Sequence, residues 1–119
     1  MPFFRLDQSS GIQYSHKNGK LYVVDPDHEG IAIVAINDTV KSLRTGLGPV
    51  SIVVNEQTGR VYVVNSGDRS IALVDGSTDA VIAMGSAAAK PYAIAVDEVN
   101  DRVYVSNTFR DLLTVRRTP

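Results

Sequence analysis

The chain has 119 residues, with 12 lysines and arginines against 13 aspartates and glutamates, and it contains no cysteine. This near balance of charge gives no basic field for nonspecific binding of nucleic acid, so we expect no nucleic-acid partner. The absence of cysteine excludes disulfide bonds, thiolate catalysis and cysteine-ligated metal sites.

The apolar segments are too short to span a membrane. The apolar run at residues 31–36 has the length of a strand, and a membrane-spanning helix needs about 20 apolar residues. The first residues, Met1 to Arg5, lack the basic start and apolar core of a signal peptide. The sequence therefore predicts a soluble chain and leaves its compartment open.

Short segments rich in β-forming residues follow one another along the chain, separated by turns rich in Asn, Gly and Asp. In chain order we predict strands at residues 12–15, 20–25, 31–34, 39–44, 51–54, 60–65, 71–74, 80–84, 93–96, 102–107 and 112–115. The turns at residues 17–19, 57–59 and 99–101 tolerate the positive φ of tight hairpins. The fold class is therefore all-β.

One phrase occurs three times, as KLYVVD at residues 20–25, RVYVVN at 60–65 and RVYVSN at 102–107. Its tyrosines, Tyr22, Tyr62 and Tyr104, recur 40 and then 42 residues apart. This period, with four strands in each unit, is typical of β-propeller blades. We therefore predict three four-stranded antiparallel repeats.

The repeats define the predicted organisation of the chain as a single three-blade module over residues 1–119. Repeat 1 covers residues 9–48, repeat 2 covers 49–90, and repeat 3, which is incomplete, covers 91–119. Pro49 and Pro91 mark two of the boundaries, where a missing amide donor removes no ladder hydrogen bond. Residues 1–8 are predicted to form a strand that completes the third blade of a neighbouring copy.

The repeated pattern resembles the YVTN-type β-propeller repeat, which is related to NHL-like repeats. The resemblance is carried best by Pro49 to Asp75 and Pro91 to Asn107, whereas repeat 1 has Asp25 in place of the usual Asn. It implies a propeller of six or seven blades, often in an exported protein. It implies no particular activity, because many activities are placed on this scaffold.

Three blades cannot close a ring, and an open stack leaves two apolar blade faces exposed. A contact repeated head to tail closes when the rotation fits, so two copies would form a six-bladed ring. A trimer would need nine blades, which lies outside the usual four to eight. We therefore expect a homodimer formed by exchange of the N-terminal strand. The alternative is that the chain is a fragment of a longer propeller.

The loops after the second strands and the segments leading into the first strands are expected on one face around the channel. They supply the candidate ligand-binding residues Asp27, His28, Glu29, Arg69, Tyr92, Phe109 and Arg110. The alternative interpretation is that the Asn, Asp, Gly and Ser residues of these loops are turn formers only.

His28 lies between Asp27 and Glu29, carboxylates that could make it a proton shuttle or a metal ligand. Residues adjacent in a turn seldom converge on one atom, however, so a solvated turn histidine is favoured. The spacing of Asp25, Asp27 and Glu29 is similar to the start of a calcium loop, but the position that needs a bidentate Glu is Ile36. We therefore predict no metal site and no cofactor.

Two functions follow from these features. The first is a non-catalytic binding or assembly module that recognises a protein, peptide or glycan through the channel face or its rim. The second is a propeller lyase or hydrolase with His28 as general acid or base. The predicted inner strands, at residues 12–14, 52–54 and 94–96, carry no ionisable group other than Tyr14. Since catalysis needs several titratable groups in one pocket, the binding module is favoured.

Overall fold

The strands of the computed structural model form three antiparallel sheets, which we call blades 1, 2 and 3. The structure describes residues 11–87, 91–100, 102–107 and 113–117. Blade 1 contains β1 (Ile12–Ser15), β2 (Lys20–Asp25), β3 (Gly30–Ala35) and β4 (Val40–Arg44). Blade 2 contains β5 (Pro49–Asn55), β6 (Arg60–Asn65), β7 (Ser70–Asp75) and β8 (Ala80–Ser86). Blade 3 contains β9 (Pro91–Asp97), β10 (Arg102–Asn107) and β11 (Leu113–Arg117).

Within each blade, strands that follow one another along the chain pair in antiparallel register. This confirms the predicted strands and the three sheets. The strand expected from residues 1–8 lies outside the described residues. The structure adds a short 3-10 helix at Pro26–His28, where proline supplies a φ suited to the first helical position. No helix within the described ranges is long and apolar enough to cross a membrane.

A side-chain cap at the end of the first strand fixes the first hairpin of every blade. The Ser15 hydroxyl accepts a hydrogen bond from the N–H of Asn18 at 3.0 Å. Asn55 Oδ1 accepts from the N–H of Gln57 at 2.9 Å. Asp97 Oδ1 accepts from the N–H of Val99 at 3.1 Å. Short polar side chains commonly bond their own backbone in this way, so one device builds three turns from three residue types.

Hydrophobic clusters fill the two joints between neighbouring blades. In the first joint, Tyr22 and Ile33 of blade 1 pack in one cluster with Val61 and Val63 of blade 2. In the second joint, Tyr62 and Leu73 of blade 2 pack in one cluster with Val103 and Val105 of blade 3. Side chains alternate along a strand, so each blade offers a face with tyrosine to the next blade and a face with valine to the previous one.

Among the described residues, blades 1 and 3 each have one of these faces without a neighbouring blade. On blade 1, Leu21 and Val23 flank Tyr22 and so lie on the face away from blade 2, where both are partly buried. Tyr14 pairs with Leu21 on that face and is 47% exposed. On blade 3, Tyr104 points away from Val103 and Val105 and is also partly buried.

The β1–β2, β5–β6 and β9–β10 turns lie at one end of the sheets, which we call the hairpin face. Hydrogen bonds at this face join blade 1 to blade 2 and blade 2 to blade 3. The carboxylate of Glu56 accepts from the Ser15 hydroxyl and the His16 N–H, both at 2.8 Å, and from the Lys17 N–H at 3.2 Å. In the next joint, Glu98 Oε1 accepts from the N–H of Glu56 at 2.7 Å. A carboxylate of each following blade thus holds the hairpin of the blade before it.

Burial alone would raise the pKa of Glu56, but hydrogen bonds from His16, Ser15 and Lys17 outweigh it and lower the pKa below 4.5. A carboxyl group with a lowered folded-state pKa stabilises the fold above its unfolded-state pKa, and this contribution is lost as the pH falls through the folded-state value.

We predict that Glu56→Gln lowers the free energy of unfolding at neutral pH by about 1–3 kcal/mol, because the charged acceptor is lost from three hydrogen bonds. The stability of the variant should also fall less than that of the parent when the pH is lowered below about 4.5. Urea titrations at several pH values measure both effects. Asp38→Asn, at an exposed turn, is the control; equal losses in the two variants would contradict the prediction.

Candidate functional site

Three connections meet at the opposite end of the sheets, which we call the loop face. They are residues 26–29 between β2 and β3, residues 45–48 between β4 and β5, and residues 66–69 between β6 and β7. The carbonyl of Glu29 accepts hydrogen bonds from the N–H groups of Thr45 and Gly46, at 3.1 and 3.0 Å. The N–H of Ser66 donates to the carbonyl of Gly48 at 2.8 Å. The connection from blade 1 to blade 2 therefore bonds to the loops of both blades.

The side chain of Asn65, at the end of β6, holds these hydrogen-bonded connections in place. Its side chain is fully buried, and its amide nitrogen donates to the Thr45 carbonyl at 3.0 Å and to the Ser70 hydroxyl at 3.2 Å. Its amide oxygen accepts from the Thr45 hydroxyl at 3.2 Å. All three bonds use the donor and acceptor pair that asparagine carries and aspartate lacks. The interpretation of Asn65 as a structural turn residue is consistent with these contacts.

The connection lies too close to blade 2 to admit a side chain at its glycines. A Cβ on Gly48, which has a φ of 62°, would stand 2.8 Å from the backbone nitrogen of Gly67. The Asp68 carboxylate accepts from the N–H of Leu47 at 2.7 Å. Asp68 thus fixes the connection instead of facing a ligand with both oxygens free.

The structure places four of the predicted site residues on the loop face. Asp27, His28 and Glu29 lie on the blade 1 loop, and Arg69 lies on the blade 2 loop. Glu29 and Arg69 occupy equivalent positions and both have a left-handed backbone, with φ values of 57° and 54°. Tyr92 lies within β9. Phe109 and Arg110 lie outside the described residues.

His28 contacts Asp25, not the neighbouring carboxylates of Asp27 and Glu29. His28 Nδ1 lies 2.8 Å from Asp25 Oδ2, and the histidine side chain is 68% exposed. The 3-10 helix explains the pair, because its three-residue turn aligns positions i and i+3. The available sequence signal was a carboxylate three residues before His28 with Pro26 between them. The prediction for His28 rested on the adjacent residues Asp27 and Glu29.

The carboxylate of Glu29 is engaged by an arginine from the outer strand of blade 1. Arg44 Nη2 donates to Glu29 Oε2 at 2.7 Å, with the Arg44 side chain 77% exposed. With Asp25 on His28 and Glu29 on Arg44, the carboxylates of this loop point to separate partners. Within the described ranges, no group of three or more His, Asp or Glu side chains is arranged to hold a metal ion.

Similarity to solved structures extends over nearly the whole chain. Hydrazine synthase from Kuenenia stuttgartiensis superposes with a TM-score of 0.81 at 18% identity, covering 98% of this chain and 35% of that one. The β-propeller domain of Cps50 (Swd1) from Myceliophteria thermophila gives 0.70 at 11% identity, covering 100% and 40%. A streptogramin B lyase gives 0.61 at 15% identity, covering 92% and 41%.

The chain has a β-propeller fold. It spans about a third to two fifths of the length of these solved structures, so it forms part of a propeller. No protein family matches the sequence. No curated protein matches it either.

We predict that Asn65→Ala lowers the free energy of unfolding by about 2–4 kcal/mol, because it removes two buried hydrogen bonds and one part-buried one and leaves the Thr45 carbonyl without its side-chain donor. Urea unfolding measures the loss. Asn37→Ala, which removes a single exposed bond to the Thr39 N–H, is the matched control. An Asn65→Ala variant as stable as the control would contradict the anchoring role.

Proposed function

We propose that this chain is a non-catalytic propeller module that joins a second copy to form a six-bladed ring and binds a protein, peptide or glycan at its loop face. The observation that supports the assembly is the repeated joint. Tyr22 packs with valines of blade 2, and Tyr62 packs with valines of blade 3. A third joint of the same kind would place Tyr104 of one copy on Leu21 and Val23 of the other.

The two faces are complementary and differ from each other. A tyrosine face meets a valine face at both joints within the chain, so contact between copies would be head to tail. A two-fold ring then contains two identical joints, each formed by blade 3 of one copy and blade 1 of the other. The proposed N-terminal strand, residues 1–8, would complete the blade 3 sheet in each joint.

A mixing experiment tests the assembly. Val23→Glu places a charge in the valine face, and Tyr104→Arg places one in the tyrosine face; each variant alone should be monomeric by light scattering. A mixture of the two should form dimers again, because one joint of the mixed ring is of wild-type composition and the other pairs the introduced arginine with the introduced glutamate.

Gln57→Glu, on an exposed turn, is the control and should dimerise like the parent. A parent chain that is monomeric at all concentrations would overturn the assembly. A mixture that remains monomeric while the parent dimerises would overturn the Tyr104 and Val23 joint. Circular dichroism of each variant separates loss of assembly from loss of folding.

The loop face supports the binding role through its exposed, mixed charges. Asp27 and His28 are exposed, Arg69 is exposed, and Leu47 adds an apolar side chain that is 46% exposed. These residues lie on loops held by buried Asn65. Their side chains differ from one repeat to the next, whereas the backbone that carries them is held in place. The proposed Tyr92, Phe109 and Arg110 would extend this surface over blade 3.

A lyase or hydrolase is the second candidate, and the Asp25 and His28 contact favours it. A carboxylate on Nδ1 orients an imidazole and leaves Nε2 for proton transfer. This candidate predicts turnover of some member of a panel of aryl ester and aryl glycoside substrates, lost in both His28→Ala and Asp25→Asn. The binding module predicts no turnover by the parent chain, and turnover lost in both variants would overturn it.

A further inference from the structure

Asn18 and Gly19 form the one Asn-Gly pair in the sequence, and this pair stands in the β1–β2 hairpin of blade 1, at its joint with blade 2. The amide nitrogen of Asn18 donates to the Tyr22 hydroxyl at 3.0 Å and to the Gly59 carbonyl of blade 2 at 2.9 Å. A Cβ on Gly76 would overlap this amide. The Asn18 side chain thus fills the joint and bonds across it.

The Gly59 carbonyl accepts two hydrogen bonds, from the Gly76 N–H at 3.1 Å and from the Asn18 amide at 2.9 Å. A carboxylate at position 18 has no N–H to replace the second bond, and its oxygens would stand against the carbonyl oxygen. The negative charges nearby also disfavour a carboxylate at position 18. Burial raises the pKa of Tyr22, the hydrogen bond from Asn18 opposes this, and the negative charges of Asp79, Glu56 and Asp75 raise the pKa further. A carboxylate at position 18 would face the same negative charges.

The folded hairpin keeps the Gly19 nitrogen from attacking the side chain of Asn18. The Gly19 N–H donates to the Ser15 carbonyl at 2.9 Å, and the Asn18 N–H donates to the Ser15 hydroxyl at 3.0 Å. When the hairpin opens, these bonds are lost, and glycine leaves the backbone free to bring the Gly19 nitrogen onto the side chain of Asn18. Hairpins at the edge of a fold open far more often than the whole chain unfolds.

We propose that Asn18–Gly19 is a self-modification site that irreversibly loosens the joint between blades 1 and 2. In the opened hairpin the Gly19 nitrogen, losing its proton, bonds to Cγ of Asn18. The bond from Cγ to Nδ2 breaks and the nitrogen leaves as ammonia, forming a succinimide. Water then opens the succinimide to aspartate or isoaspartate. The product has a carboxylate where the Asn18 amide had donated to the Gly59 carbonyl, so the hairpin does not close on blade 2 as before.

The first test follows the reaction in the unmodified chain. The protein is incubated in mildly alkaline buffer, digested with chymotrypsin, and the peptide of residues 15–22 is analysed by mass spectrometry for aspartate and isoaspartate. We expect faster conversion at Asn18 than at any of the other five asparagines, and a several-fold faster conversion in urea below the unfolding midpoint. Faster conversion at another asparagine, or a rate at Asn18 that urea does not change, would overturn the proposal.

The second test examines the product. Asn18→Asp should unfold at a lower urea concentration than the parent. Asn37→Asp makes the same chemical change at an exposed turn, where the side-chain oxygen accepts from the Thr39 N–H and aspartate can still do so, and it should unfold at the parent midpoint. Equal midpoints for the two variants would overturn the effect on the joint.

Discussion

The structure depends on the burial of both faces of a sheet by sheets of the same kind. A β-strand presents alternate side chains to opposite sides, so the phrase around each repeated tyrosine supplies a tyrosine to one neighbour and two apolar residues to the other. Blade 2 has both neighbours, and β6 is buried from Val61 to Asn65. Blade 1 has one neighbouring blade in the part of the chain that the structure describes, and its strand β2 is buried at Tyr22 alone. Burial therefore follows position in the stack more than it follows local sequence.

Polar contacts at the two ends of the sheets keep the blades in register. On the hairpin face, Glu56 holds the first turn of blade 1, and Asp79 pairs with Lys20 at 2.9 Å and with Lys41 at 3.2 Å. On the loop face, Asn65 holds the connection through Thr45. Hydrophobic burial is not directional, whereas these hydrogen bonds and ion pairs specify the orientation of each blade relative to the next and its position along the strands. The loops therefore extend from blades whose relative positions are fixed.

The sequence predicted the strands and the three sheets because their signals are local and are repeated. Each hairpin has its turn residues nearby, and the tyrosines recur at nearly constant spacing. The bonds of Glu56 were not predicted, since their partners lie about 40 residues away and a turn glutamate is usually exposed. The Asp25 and His28 pair was missed because it depends on a 3-10 turn. The sequence predicted no particular ligand for the loop face, because the loops there differ from repeat to repeat and share no motif.

The carboxylate of Glu56 reaches back to blade 1, and that of Glu98 reaches back to blade 2. The stack therefore has a direction, because at both joints the following blade supplies the acceptor and the preceding blade supplies the N–H group. A contact between two chains that repeated this direction would be head to tail, and the rotation per blade would then decide between a closed ring and an open spiral.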